Sequence, residues 1–297
     1  MGYGVMRFLK KKMGIRSLNK RKAALLGILV IALIAWIIWG NTTVGTTYYS
    51  VESDRIPPSF NHFKIIVISD MHNALFGEDN ESIINLVEKE KPDLIAITGD
   101  LVDSNRTNIE IAGKLVENLM KIAPCYYVTG NHEAWLGEEY KKLESILIEK
   151  EVTILNDEVV MLANGSDQIQ IAGLNDPDFV DRVPYVQRGI LQTKLSDMDL
   201  TNDYIVLLSH RPETFDAYVA KNIDLVLSGH AHGGQFRIPI IGGLIAPNQG
   251  IFPKYDAGMY CEKSTTMIVS RGIGNSIITL RLNNRPEIVC VELIGNS

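Results

Sequence analysis

Lys64–His72 reads KIIVISDMH, a β-branched apolar run that passes directly into an acid and a histidine. Continuous apolar runs of this length describe strands buried on both faces, as in parallel sheets. The same construction recurs four times. Asp93–Thr98 (DLIAIT) leads into Gly99-Asp100-Leu101-Val102-Asp103, and Cys125–Thr129 (CYYVT) into Gly130-Asn131-His132-Glu133. Tyr204–Ser209 (YIVLLS) leads into His210, and Ile223–Ser228 (IDLVLS) into Gly229-His230-Ala231-His232. Five of the six histidines fall in these clusters, while His62 stands apart as a surface or linker residue. Loops beyond the C-terminal strand ends of an α/β sheet converge on one ligand-binding edge. Scattered core histidines would have no reason to share that address.

Between the strands, Glu81–Lys89, Asn108–Lys121 and Glu138–Glu149 place apolar residues three and four apart, the spacing of amphipathic helices; Pro212–Lys221 is a shorter candidate. Val152–Leu174 breaks into VTIL, EVVML and QIQIAGL around Asn156-Asp157 and Asn164-Gly165, which is antiparallel hairpin chemistry. Gln235–Pro239, Thr265–Ser270, Ile277–Leu282 and Glu287–Leu293 also read as strands. The pattern describes one α/β domain over residues 61–297, in which strand–helix units join a second, more antiparallel sheet.

The N-terminus differs. Residues 1–22 carry eight Lys and Arg and no acid; the remaining 21 basic residues face 35 acids, a formal charge of −14 for residues 23–297. So acidic a body suits non-specific nucleic-acid binding poorly. Residues 23–40 (AALLGILVIALIAWIIWG) contain no charge and show no polar stripe, so they read as a transmembrane signal anchor rather than a buried soluble helix. Trp36 and Trp39 stand near its outer end, and the basic residues before it place the N-terminus in the cytoplasm and the body outside. No Ala-x-Ala site follows the run, and Lys20-Arg21 lacks the paired arginines of a twin-arginine signal. Residues 41–60, rich in Thr and Ser and ending in Pro57-Pro58, read as a linker. Cys125, Cys261 and Cys290 sit in or beside apolar runs and read as small hydrophobes; no spacing selects a disulfide pair.

Carboxylate, amide and imidazole donors in these clusters suit Mn, Fe or Zn better than Ca. Their order, D-x-H, G-D-x-x-D, G-N-H-E, a lone H and G-H-x-H, resembles the signature of the calcineurin-like metallophosphoesterase superfamily. Gly233-Gly234-Gln235 and Arg271-Gly272-Ile273-Gly274 resemble a bacterial, membrane-associated branch, whose members include UDP-diacylglucosamine phosphodiesterases and pyrophosphatases. The resemblance covers residues 61–297. It implies a four-layer α-β-β-α sandwich of two mixed sheets flanked by helices, here preceded by one transmembrane helix. It implies one divalent cation on Asp70, His72 and His232, another on Asn131, His210 and His230, and Asp100 bridging. By the same resemblance, a hydroxide shared by the two cations attacks phosphorus. His132 protonates the leaving group or stabilises the transition state, and Asp103 hydrogen-bonds and orients it. Glu133 supports the loop, and Asn73 is a turn residue or approaches substrate.

Phe236–Met259 is an apolar stretch broken by Gly and Pro. It either fills the core beneath the site or forms an apolar rim for a bilayer or acyl chains. The leading expectation is a membrane-held phosphodiesterase or pyrophosphatase acting on a lipid-linked or nucleotide-glycolipid ester. Its competitors are an extracytoplasmic nucleotide or nucleic-acid phosphodiesterase and a non-catalytic, membrane-anchored binding protein.

Overall fold

In the computed structural model, which describes residues 19–295, the uncharged run becomes helix α1 (Lys20–Thr42). Its 23 residues would span about 35 Å at 1.5 Å per residue. Its most apolar window has a mean hydropathy of 2.6, so the helix is long and apolar enough to cross a membrane. The basic stretch expected at residues 1–22 lies, as far as residue 18, outside the described residues.

Gly40–Ser297 form a separate compact unit. It begins with β1 (Gly45–Ser53), β2 (Lys64–Ile68), α2 (Glu81–Glu90), β3 (Leu94–Thr98) and α3 (Ile109–Met120). Next come β4 (Cys125–Val128), α4 (Asn131–Trp135), α5 (Tyr140–Glu149), β5 (Thr153–Ile154), β6 (Glu158–Asn164) and β7 (Asp167–Gly173). Then follow α6 (Pro184–Asp197), β8 (Ile205–Leu208), α7 (Phe215–Ala220) and β9 (Leu225–Ser228). Four two-residue strands, β10 (Arg237–Ile238), β11 (Gly242–Gly243), β12 (Ile245–Ala246) and β13 (Gly250–Ile251), precede β14 (Gly258–Glu262), β15 (Thr265–Val269) and β16 (Glu287–Gly295).

Two six-stranded mixed sheets result, in the orders β1-β16-β2-β3-β4-β5 and β14-β15-β9-β8-β7-β6. Side chains alternate across a strand, and the apolar runs use both faces. Ile65, Val67, Leu94 and Ala96 meet Val206, Leu208, Leu225 and Leu227 between the sheets. Ile66, Ile68, Ile95 and Ile97 point the other way, under Ile83 and Val87 of α2, Leu115 and Leu119 of α3, and Leu143 and Leu147 of α5. On the outer face of the second sheet, Leu207 and Val226 pack with Leu191 and Leu195 of α6 and with Phe215 and Tyr218 of α7. The fold is therefore an α-β-β-α sandwich, and two-sided burial is why these strands lack polar alternation.

Local differences from the sequence reading have physical causes. Residues 41–60 are not a linker throughout: β1 pairs in parallel with β16 from Gly45↔Glu287 to Ser53↔Gly295, and Val51 is buried. The polar Thr and Ser of β1 suit a sheet edge. Thr153–Ile154 does not join the hairpin but extends the first sheet beside β4, whereas β6 and β7 pair around Asn164-Gly165 as expected. Ile277–Leu282 forms no strand; it makes the isolated β-bridge Phe236↔Leu282 and is otherwise held by bonds from Gln235 and Asn41. Helix α6 shows the sequence only a narrow stripe, because just Gln187, Leu191 and Leu195 are buried.

Candidate active site

All five clusters lie just past the ends of β2, β3, β4, β8 and β9, on the edge where the two sheets meet. Asp70, His72, Asp100, His230 and His232 all have φ between +45° and +66°, the left-handed region that non-glycine residues rarely occupy. Such conformations persist where the surroundings over-determine them, and they gather at functional sites. Glycine makes the close approach: a Cβ on Gly229 would collide with Ser69 Oγ and Asp70, and one on Gly130 with the Asp100 carboxylate.

The side chains converge. His72 Nε2 lies 3.1 Å from His232 Nε2, and His232 Nε2 lies 3.4 Å from Asp70 Oδ1. On the other side, His210 Nε2 is 3.2 Å from His230 Nδ1. Asp100 Oδ2 stands between the two groups, 3.5 Å from His72 Nε2 and 3.2 Å from His210 Nε2. Asp70, His72, Asp100, Asn131, His210, His230 and His232 are all buried. Asn131 Oδ1 is buried with no hydrogen-bond partner, an expensive state for an amide oxygen unless something outside the protein uses it.

A calcineurin-like phosphoesterase family model matches residues 63–234. The chain belongs to the calcineurin-like phosphoesterases. It is 32% identical over 265 residues to the "Uncharacterized metallophosphoesterase YkuE" of Bacillus subtilis, covering 84% of this chain and 85% of that one. "Phosphodiesterase YaeI" of Escherichia coli is 29% identical over 78% of this chain and 82% of its own length. A Bos taurus "Transmembrane protein with metallophosphoesterase domain" is 28% identical over 92% of this chain and 62% of its own.

This phosphoesterase is therefore a metal-dependent hydrolase of phosphoric esters that works with two divalent cations, and its donors fit them. Asp70, His72 and His232 offer ligand atoms within 4.8 Å of one another, as do Asp100, His210 and His230, and Asn131, with its orphaned oxygen, lines the cavity with Asp100 and His230. Burial, with charge from Arg211 at His230 and from Arg281 at His232, holds those two imidazoles below the usual histidine range. Burial does the same to His72, against the pull of Asp100. Neutral imidazole is the form that ligates metal. His210 differs: burial opposes its charge, but the Asp100 carboxylate carries it up to about 10.

The phosphoesterase arranges His132 differently from the expectation. Asp103 Oδ1 lies 4.0 Å from His132 Nδ1, beyond hydrogen-bond reach, and accepts the Asn105 N–H instead. The Ser104 backbone N–H donates to His132 Nδ1 at 3.0 Å. The ring proton therefore sits on Nε2, which faces Ser276 Oγ at 3.0 Å on the cavity wall. Glu133 fastens the loops together, accepting the backbone N–H groups of Asp100, Val102 and Gly130. Asn73 Nδ2 donates to the Arg106 carbonyl, a loop-holding role.

Two buried arginines escaped the sequence reading. Arg211 grips Asp176 with two bonds of 2.6 and 2.7 Å, pairs with Asp178 at 2.9 Å, and sets Nη1 3.1 Å from His230 Nε2. Arg281 has Nη2 3.3 Å from His232 Nδ1 and donates Nη1 to the Arg271 carbonyl. Arg211 follows the lone His210, which was a usable signal; Arg281 lies 49 residues past His232 and gave none. Beside the clusters opens a cavity of about 520 Å³. Its lining combines Asp100, Asn131, His132, His230 and His232 of the clusters and the charged Asp178, Arg182 and Arg211 with the apolar Trp135, Ile245, Pro247, Ile277 and Ile278.

Proposed function

We propose that this phosphoesterase hydrolyses a phosphodiester or diphosphate joining a polar group to a lipid, at the surface of the cell membrane. The observation that carries the reading is the cavity, whose lining brings ligand-rich and charged side chains together with Trp135, Ile245, Pro247, Ile277 and Ile278. Amphipathic esters match that mixture, and the apolar side chains favour ligands that give up greasy surface. The name of the Escherichia coli relative supports diesters, and that of the cattle relative supports a membrane location. By the proposed topology, α1 spans the bilayer once, with the N-terminus cytoplasmic and the body outside.

Asp70, His72 and His232 would hold one cation, Asn131, His210 and His230 the other, with Asp100 shared. Two divalent cations there supply charge neutralisation at the phosphoryl oxygens and activation of water. The chain's own residues do the rest. His132 offers its Nε2–H to an oxygen gaining charge, Ser104 fixes the tautomer, and Glu133 holds Asp100 and Asn131 in place. Arg211 and Arg281 orient the rings of His230 and His232 in the manner of outer-shell partners.

Full-length protein in detergent, loaded with Mn, should cleave a nucleotide-linked glycolipid with a kcat/KM at least about tenfold above that for a nitrophenyl phosphodiester, a difference of about 1.4 kcal/mol. Equal or lower activity on the lipid would remove the lipid assignment and leave the reaction class intact.

A further inference from the structure

Exposed apolar side chains lie on the two segments that give Ile245 and Ile277 to the cavity lining, and Ile251 pairs across β12–β13 with Ile245. Ile240 and Ile277 are 108% and 82% exposed, and Ile241, Ile251, Phe252 and Leu280 are exposed on the same two segments. Ile240 also holds φ at +75°, a costly setting for a β-branched residue, with no packing gained in return. The two segments carrying these residues are tied side by side. Gln235 Nε2 donates to the carbonyls of Ile278 and Leu280, and the Arg237 N–H donates to Leu282 O. Ile245 and Ile277 continue from this patch into the cavity lining.

A second observation says what covers it. Asn41, at the start of the compact body, is locked to Arg281, the residue after Leu280. Asn41 Nδ2 donates to Arg281 O at 2.9 Å, and the Arg281 N–H donates to Asn41 Oδ1 at 2.8 Å. The point where the body continues into the apolar run of residues 23–40 is thus pinned next to the patch. A span crossing the bilayer up to residue 40 delivers Asn41, and with it this rim, to the lipid surface.

We infer that the rim formed by Ile240, Ile241, Ile251, Phe252, Ile277 and Leu280 rests on a lipid bilayer, so that the cavity takes its substrate directly from the membrane surface. The inference rests on the anchoring by α1 proposed above. Apolar groups on such a rim enter the headgroup and acyl boundary by about 5–10 Å. Association with a second copy or with another protein is the alternative that the test separates.

The test uses full-length chain with Cys261→Ser, since Cys261 is the exposed thiol while Cys125 and Cys290 are buried. Variants with one accessible cysteine, Ile240→Cys, Phe252→Cys and, as control, Ile148→Cys, carry an environment-sensitive fluorophore. Ile148 is 62% exposed near the C-terminal end of α5, which runs from the site edge back toward the opposite edge of the sheet. In phosphatidylcholine–phosphatidylglycerol vesicles, probes at 240 and 252 should shift to the blue and be quenched by lipids with acyl-chain quenchers, and the probe at 148 should not. Ile240→Asp with Phe252→Asp should leave hydrolysis of a water-soluble nitrophenyl diester unchanged and lower that of vesicle-borne lipid ester about tenfold. Protein that floats with vesicles while all three probes answer only to aqueous iodide overturns the rim assignment, as does blue-shifting that needs protein concentration rather than lipid. Protein that fails to float overturns the anchoring itself, a separate result.

Discussion

Replacing His132 with Ala tests the finest feature of the site. Ser104 donates its backbone N–H to Nδ1, so the imidazole presents an Nε2–H to the cavity and serves as a hydrogen-bond donor. Losing one preorganised donor to developing negative charge typically costs 10²–10³ in rate, about 2.7–4 kcal/mol. The same substitution strands the Ser104 N–H, which should lower stability by about 1–3 kcal/mol. The assay compares His132→Ala with the parent on phosphodiesters whose leaving groups run from nitrophenol to simple alcohols, and urea unfolding reports stability separately. A donor to the phosphoryl oxygens predicts one common loss along the series, with partial rescue by His132→Gln. Full activity in the mutant, or a loss that steepens with leaving-group pKa, would refute the argument, the latter by making His132 a general acid.

Other outcomes follow from the same structure. Arg211→Met leaves the fully buried Asp176 without its cation, and breaking such a pair typically costs 3–5 kcal/mol, readable by denaturant unfolding; a loss under about 1 kcal/mol would contradict the pairing. Because Asp100 holds His210 up to about 10, His210 is protonated in the metal-free site at pH 7 and must give up that proton to a cation. Metal affinity should accordingly rise as pH increases toward that value, with proton release visible by calorimetry in buffers of different ionisation enthalpy; heat independent of buffer would argue against it. A chain starting at residue 61 loses β1 and bares β16, and should aggregate, whereas one starting at residue 43 keeps the edge; a soluble, cooperatively unfolding 61–297 would show β1 to be dispensable.

The strands that carry the site were legible because burial on both faces leaves an unmistakable apolar run, as in Lys64–Ile68 and Leu94–Thr98. Their shared edge then brought the clusters together, and Asp100 does stand between two histidine groups. What the sequence concealed depends on distant partners. The Thr-rich β1 becomes a strand only by pairing with β16, some 240 residues away. Ile277–Leu282 has strand composition, yet its Ile277 finds no sheet and faces solvent. The expected Asp103–His132 bond fails for a local reason: Asp103 Oδ1 turns to the Asn105 N–H and stands 4.0 Å from the ring, and the Ser104 N–H reaches Nδ1 first. Arg281 approaches His232 through a loop whose course no local pattern announces.

Metal stoichiometry measured alongside hydrolysis tests the central claim most directly. Full-length protein should carry close to two divalent ions per chain by elemental analysis, lose phosphodiesterase activity on chelation and regain it on reloading, while Asp100→Ala should hold fewer ions and be inactive. A chelated, metal-free chain that hydrolyses phosphodiesters as fast as the loaded one, or an Asp100→Ala variant with full metal content and full rate, would contradict the account.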